Sequence, residues 1–129
     1  MSTTNAHIRH GFGSVRAYMY GPLDLIEFVT QVFDAKEVER GDTPGGAHVE
    51  FQIGDSVLIL EAGDVPEAYA TRGSVYIYVP DVDAAYRRAL QLGATSLDEP
   101  ADKPYLDRVA GVKDRFGNIW WMGTHLGGR

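Results

Sequence analysis

The chain has 129 residues, no cysteine and a formal net charge of −6, with 44% hydrophobic and 23% charged residues. That length and apolar fraction suit one globular domain with its own core, and the lack of cysteine excludes a disulfide framework and thiolate chemistry in catalysis or zinc binding. The acidic balance is not the electrostatic footprint of a nucleic-acid binder and disfavours anionic membrane surfaces. No apolar run approaches the ~20 residues of a membrane span, and the polar stretch Met1 to Gly13 lacks the apolar core of a signal peptide. The expectation is a cytoplasmic protein whose partner is a small molecule, another protein or both.

Residues 1–13 read as a mobile arm, with His7 and His10 as solvated histidines. Ser14 to Tyr20 alternates, setting Ser14, Arg16, Tyr18 and Tyr20 against Val15, Ala17 and Met19, which predicts a strand. Gly21 and Pro22 stop it. Pro22 suits a first helical turn, and Leu23, Ile26, Val29 or Thr30, and Phe33 recur at helical spacing, so a helix is expected over 22–34. A weaker strand covers 36–42, and 43–46 is a loop. Strands over 47–53 and 56–62 flank Gly54-Asp55, the two-residue connection of a tight hairpin. That hairpin sets His48 opposite Glu61, Glu50 opposite Ile59 and Gln52 opposite Val57. One face, Val49, Phe51, Leu58 and Leu60, is wholly apolar and suits packing under a helix. The other, His48, Glu50, Gln52, Val57, Ile59 and Glu61, is mixed and suits a site.

An acidic linker over 63–72 joins this half to the next. Ser74 to Val79 alternates again, with Ser74, Tyr76 and Tyr78 on one side, and Pro80 ends the run. Asp81 or Asp83 caps a helix that stops at Gly93. A short strand at 95–97, a loop over 100–107, a strand over 108–113, a turn over 114–118 and a last strand over 119–124 follow. Each half therefore reads strand, helix, then three strands, and the halves start about 60 residues apart, the period of a duplicated supersecondary unit. This gives modules over 14–62 and 73–125 within one structural domain.

The motifs that carry a family resemblance are Tyr-Val-Pro-Asp-Val-Asp-Ala-Ala-Tyr from Tyr78, Leu-Gly-Ala from Leu92, Asp-Arg-Val-Ala-Gly-Val-Lys-Asp-Arg-Phe-Gly-Asn-Ile-Trp-Trp from Asp107, and His-Val-Glu-Phe-Gln-Ile-Gly-Asp-Ser-Val-Leu from His48. In these the chain resembles the vicinal oxygen chelate superfamily of glyoxalases, bleomycin-resistance proteins and extradiol dioxygenases, over residues 14–124. The resemblance implies an α+β fold of two βαβββ modules, curved mixed sheets enclosing a cavity, helices on the outer face, and a homodimer with modules pairing across chains. Leu106 and Arg115 stand where relatives often have Gly and Pro, and Val29 where they often have Tyr.

The metal-dependent members open a module with histidine and close it with glutamate. Carried over, the opening positions are Ser14 and Ser74. The closing positions are Trp121 and the neighbourhood of Ile59 and Leu60. None is a good ligand for a divalent first-row metal, which takes imidazole or carboxylate donors. No metal and no other cofactor is expected. His48, Glu50 and Glu61 are the weak candidates for catalysis. Their ordinary reading is a cross-strand pairing of polar groups, and the sharper one is a general base or part of a displaced metal site. The residues expected to touch a ligand are Arg16, Tyr18, His48, Glu50, Tyr76, Tyr78 and Trp121, an aromatic lining suited to a planar, oxygen-rich molecule. Trp120, of opposite parity, is expected in the core. Three functions follow: a non-catalytic protein sequestering an aromatic natural product or antibiotic, as the bleomycin-resistance branch does; a lyase, isomerase or dioxygenase using His48, Glu50 and Glu61; or a dimerising scaffold. The first is preferred.

Overall fold

The computed structural model describes residues 6–127 apart from the side chain of Tyr69, so the first five residues of the arm and the last two of the tail lie outside the described residues. The order is β1 (Ala17–Gly21), α1 (Leu25–Phe33), β2 (Lys36–Thr43), β3 (Gly46–Ile53), β4 (Ser56–Gly63), β5 (Ser74–Tyr78), α2 (Val82–Gln91), β6 (Thr95–Asp102), β7 (Asp107–Lys113) and β8 (Ile119–His125). Two four-stranded mixed sheets result, ordered β1-β4-β3-β2 and β5-β8-β7-β6. In each, the module's first strand lies parallel to its last, and the other neighbours are antiparallel. The parallel pairing needs a long crossover, which the helix and the two middle strands supply. This is the α+β architecture of two βαβββ modules that the sequence predicts, and the sheets stay open rather than closing into barrels.

The hairpin register is as predicted, from Ile53 opposite Ser56 to His48 opposite Glu61. Gly54 turns it with φ of +57°, the positive value a two-residue hairpin needs at its first central position. Three boundaries move by three residues or more. The helix begins at Leu25, not Pro22, because the Leu25 and Ile26 amides donate to the carbonyls of Pro22 and Leu23 in tight turns. Its buried stripe is Leu25, Phe28, Val29, Val32 and Phe33, and Leu23 is left exposed. The first strand begins at Ala17, not Ser14, because the Arg16 guanidinium bonds back to the carbonyls of Arg9, Phe12 and Gly13 and curls the chain there. The strand expected over 95–97 runs from Thr95 to Asp102, through Pro100. It is an edge strand whose ladder slips between Ser96 and Asp98 and again between Asp98 and Ala101, where a missing N–H is tolerated.

The helix-side faces of both sheets drain into a single core, which holds Val49, Phe51, Leu58 and Leu60 from the first module and Ala110, Val112, Trp120 and Met122 from the second. Trp120 is fully buried, with Phe28 and Phe33 of α1 at 5.6 and 5.4 Å between ring centroids. The Asp81 carboxylate caps α2 by accepting from the Ala84 amide at 3.1 Å, and Gly93, at φ of +101°, ends it. Arg88 of α2 donates to the carbonyls of Gln31 and Val32, satisfying the C-terminal end of α1.

A buried polar knot fixes one module to the other. Asp114 Oδ1 accepts from the amides of Phe116, Gly117 and Asn118, and its Oδ2 accepts from Asn118 Nδ2 and Trp120 Nε1. Asn118 Nδ2 also donates to the Tyr20 carbonyl, while its Oδ1 accepts from the Gly73 amide. The turn between β7 and β8 thus holds the end of β1 beside the start of β5. Among the described residues no helix is long and apolar enough to cross a membrane.

Candidate functional site

The helix-side faces meet in the core except at the β1, β4 and β5 margin, and the polar side chains that pair with one another lie on the opposite faces. On the first sheet, the β1 and β4 partners are Tyr18 with Ile59 and Tyr20 with Glu61, and β3 adds Glu50 and His48 beside them. Glu61 receives the Tyr18 hydroxyl at 3.1 Å and is in direct contact with His48 Nδ1. Glu50 is paired with Arg16 at 3.2 Å, lies 3.9 Å from His48 Nε2, and is only 6% exposed. The structure therefore brings together Arg16, Tyr18, His48, Glu50 and Glu61 as the strand parity requires. Part of this face is covered, however. Residues 9–13 lie over it: Arg9 reaches Glu50 and Glu39, and Gly13 packs against Val57, which is buried.

The second sheet presents Tyr76, Tyr78 and Trp121. Tyr76 and Trp121 are ladder partners, and their rings lie on glycines: a Cβ at Gly111 would stand 2.4 Å from Trp121, and one at Gly123 would stand 2.3 Å from the Tyr76 hydroxyl. The glycines therefore give flat rings room against the strands. The Tyr76 and Tyr78 rings meet edge-on at 5.3 Å. Their hydroxyls both turn to Asp107 Oδ2, at 2.8 Å each, and His125 Nδ1 meets Asp107 Oδ1 at 3.0 Å. These bonds hold the Asp107 carboxyl below its ordinary range, the His125 contact first and the two phenols next. Burial, then the bond to Asp107, raises the Tyr76 phenol well above the ordinary tyrosine range, and the Asp107 bond leads in raising Tyr78.

Tyr76 and Tyr78 also line a cleft of about 470 Å³ between the β3–β4 hairpin and β5. Its walls are largely apolar, from Val15, Ala17, Val57, Leu58, Val75 and Ile77, with Asp55 and Ser56 at the hairpin end. Of the seven residues expected to touch a ligand, these two tyrosines line it. Trp121 shares their sheet face, and Arg16, Tyr18, His48 and Glu50 belong to the first module's face.

Asp107 and His125 escape the sequence reading. The strands are expected to end at Arg108 and Thr124, one pair short of them. The signal was available: extending the β7–β8 ladder one further step past Arg108 and Thr124 pairs Asp107 with His125.

A family model described as the Glyoxalase/Bleomycin resistance protein/Dioxygenase superfamily matches residues 23–122. The chain belongs to this superfamily. The uncharacterized protein Mb0911c of Mycobacterium bovis is 32% identical over 111 residues, spanning 76% of this chain and 72% of that protein. The glyoxalase/bleomycin-resistance fold is also shared with TioX from Micromonospora sp. ML1, at 23% identity and TM-score 0.69, over 89% of this chain and 98% of that one. TnmS3, an antibiotic binding protein from Streptomyces sp. CB03234, is 18% identical with TM-score 0.60, over 87% and 96%. Lactoylglutathione lyase from Agrobacterium tumefaciens is 22% identical with TM-score 0.60, over 85% and 91%. One fold thus carries a binder and a lyase, and the choice between them rests on the site. The metal-ligand positions that the resemblance implies hold the hydroxyls of Ser14 and Ser74 and the indole of Trp121, which are poor donors for a divalent first-row metal.

Proposed function

We propose that this chain is a non-catalytic small-molecule binding protein that sequesters a planar aromatic natural product or antibiotic in the cleft between its modules. The observation that carries this reading is the cleft itself, whose volume of about 470 Å³ falls in the range of small-molecule sites, roughly 300–1,000 Å³. The Tyr76 and Tyr78 hydroxyls are engaged with Asp107, which is not among the lining residues, and Asp55 and Ser56 supply polar groups at the hairpin end. Flat rings reward flat partners, by about 0.5–1.5 kcal/mol per pair beyond burial. The reading includes a cytoplasmic homodimer with modules pairing across chains. Its support is that Tyr18, Tyr76 and Tyr78 are 45%, 42% and 61% exposed on the sheet faces turned away from the core. Titration with a panel of intercalating and glycopeptide antibiotics, followed by tryptophan emission, tests it. Saturable quenching is expected, weakened about tenfold by Tyr78→Ala, with the drug recovered unaltered by mass spectrometry. No saturable quenching across the panel, or recovery of a modified drug, refutes it.

A second reading, a lyase, isomerase or dioxygenase, draws on one observation: His48 and Glu61 are in direct contact with Glu50 beside them, a carboxylate–imidazole arrangement able to act as a general base. Turnover of a thiohemiacetal or catechol that His48→Ala abolishes is the result that favours it.

A further inference from the structure

We propose that the open edge of β5 is a docking edge for amides, and that the guest of the cleft carries an extended peptidic segment pairing with the main chain of Tyr76 and Tyr78. The proposal rests on the reading that the cleft binds a small molecule, and it names a chemical class for that molecule. β1 and β5 each stand at the end of their sheet, so each has one long edge outside the ladder. The cleft runs between those margins, with Val15 and Ala17 on the β1 side and Val75, Tyr76, Ile77 and Tyr78 on the β5 side. Side chains of a strand alternate between its two faces, so a cavity over one face meets every second residue. This cleft meets four residues of β5 in succession. It therefore runs along the edge of the strand, where the main chain can be reached.

The ladder shows which main-chain groups that edge offers. The Gly73 carbonyl accepts from the Ile119 amide at 2.9 Å, and the Val79 amide donates to the Gly123 carbonyl at 2.8 Å. The odd-numbered residues thus turn their N–H and C=O towards β8. In a parallel pair both groups of one residue point the same way, and the direction reverses at the next residue. Tyr76 and Tyr78 therefore turn theirs away from β8, into the margin that the cleft follows. Each offers one donor and one acceptor, and two residues of rise set them about 7 Å apart. The complement of such a row is a chain of amides in extended conformation, the pairing by which a peptide adds a strand to a sheet. A guest made only of rings leaves the row unmet. The opposite wall suits apolar side groups on the segment, since Val15 is 90% exposed there.

The test uses 2-naphthoyl-valyl-alanine methylamide and its depsipeptide analogue, in which ester oxygens replace the valyl and alanyl N–H groups. The two share ring and side groups and differ in the donors. By isothermal titration calorimetry the peptide is expected to bind about tenfold more tightly. Hydrogen exchange followed by NMR supplies a pattern that stacking on the rings would not produce. The peptide should slow exchange at the Tyr76 and Tyr78 amides and leave Val75 and Ile77, which face β8, as they were. Tyr76→Val and Tyr76→Pro both remove the ring, but only proline also removes the N–H, and at this edge position the β8 ladder loses nothing. The peptide should bind Tyr76→Pro about fivefold more weakly than Tyr76→Val; where circular dichroism shows the proline variant misfolded, the exchange pattern decides. Equal binding of the two probes, or protection without the alternation, overturns the proposal and leaves the cleft reading standing. Slow exchange at Tyr76 and Tyr78 in the free protein, the mark of a second copy already paired with this edge, also overturns it. Binding of neither probe overturns the cleft reading and this proposal with it.

Discussion

Replacing Asp114 should damage the fold more than any exposed substitution. Its carboxylate accepts five hydrogen bonds, at 2.8–2.9 Å, and three of the donors are the amides that shape the turn between β7 and β8. The other two, Asn118 Nδ2 and Trp120 Nε1, belong to side chains that are fully buried, where water cannot take over. Leaving a buried donor unmet costs about 1–3 kcal/mol. Asn118 keeps its bond to the Tyr20 carbonyl, so the heaviest single loss falls on Trp120. Adding the loosened turn, Asp114→Ala is expected to cost about 3–5 kcal/mol, a large share of the roughly 5–15 kcal/mol a domain has. Asp114→Asn separates the two halves of the effect. Its oxygen can keep the three backbone bonds, but its amide group then faces two donors, so a cost of about 2–3 kcal/mol is expected. Urea unfolding followed by tryptophan emission and by far-ultraviolet circular dichroism measures both. A loss below about 1 kcal/mol for Asp114→Ala, the scale of an ordinary surface-to-core difference, would show that the knot is not what holds the modules together.

Spectrophotometric titration should find Tyr76 and Tyr78, two of the seven tyrosines, ionising above the ordinary value of about 10. Asp107→Asn should bring Tyr78 back toward normal and leave Tyr76 partly raised, because burial leads in the second case and the Asp107 bond in the first; all seven titrating together would contradict this. The linkage has a sign at each end of the pH scale. The contribution of the two neutral phenols is complete below the ordinary tyrosine range and is lost as pH rises through their raised values. That of Asp107 is present above the ordinary carboxylate range and is lost as pH falls through its lowered one. Gly111→Ala should force the Trp121 ring off the sheet, since the new Cβ would stand 2.4 Å from it; a shifted near-ultraviolet spectrum and about tenfold weaker binding of a planar ligand are the readouts. Leu106 adopts φ of +68° while 55% exposed, so Leu106→Asn should relieve left-handed strain at little cost in burial and add about 0.5–1 kcal/mol, seen as a melting temperature a few degrees higher.

Much of the architecture was legible because strands and helices write their periods into the sequence. Alternation from Ser14 to Tyr20 and from Ser74 to Val79 marked the two opening strands, observed over Ala17–Gly21 and Ser74–Tyr78, and the Gly54-Asp55 turn gave the register that put His48 against Glu61. Opposite parity told Trp120 from Trp121, and the structure buries the first and leaves the second partly open. Leu106 stands where the family resemblance implies glycine, and its φ is positive. The errors fell where local rules give way to contacts between distant residues. Pro100 argues against a strand, but on the sheet edge its missing N–H has no ladder bond to lose. Arg16 has the parity of a strand residue, yet its guanidinium finds the carbonyls of residues 9, 12 and 13 and delays the strand.

The sequence by itself determined the two-module α+β plan and the apolar and polar faces of each sheet. Periodicity and residue chemistry are local, so one chain suffices to read them. Tertiary structure decided what those faces meet. It turned the helix-side faces of both sheets into one core, laid residues 9–13 over the His48 and Glu50 face, and opened the cleft beside Tyr76 and Tyr78. It also joined Asp107 to two phenols and an imidazole up to 31 residues away in the chain. Such a cluster has no period and no motif, because hydrogen bonds depend on distance in space, and only the packed sheet brings those four side chains within reach of one another.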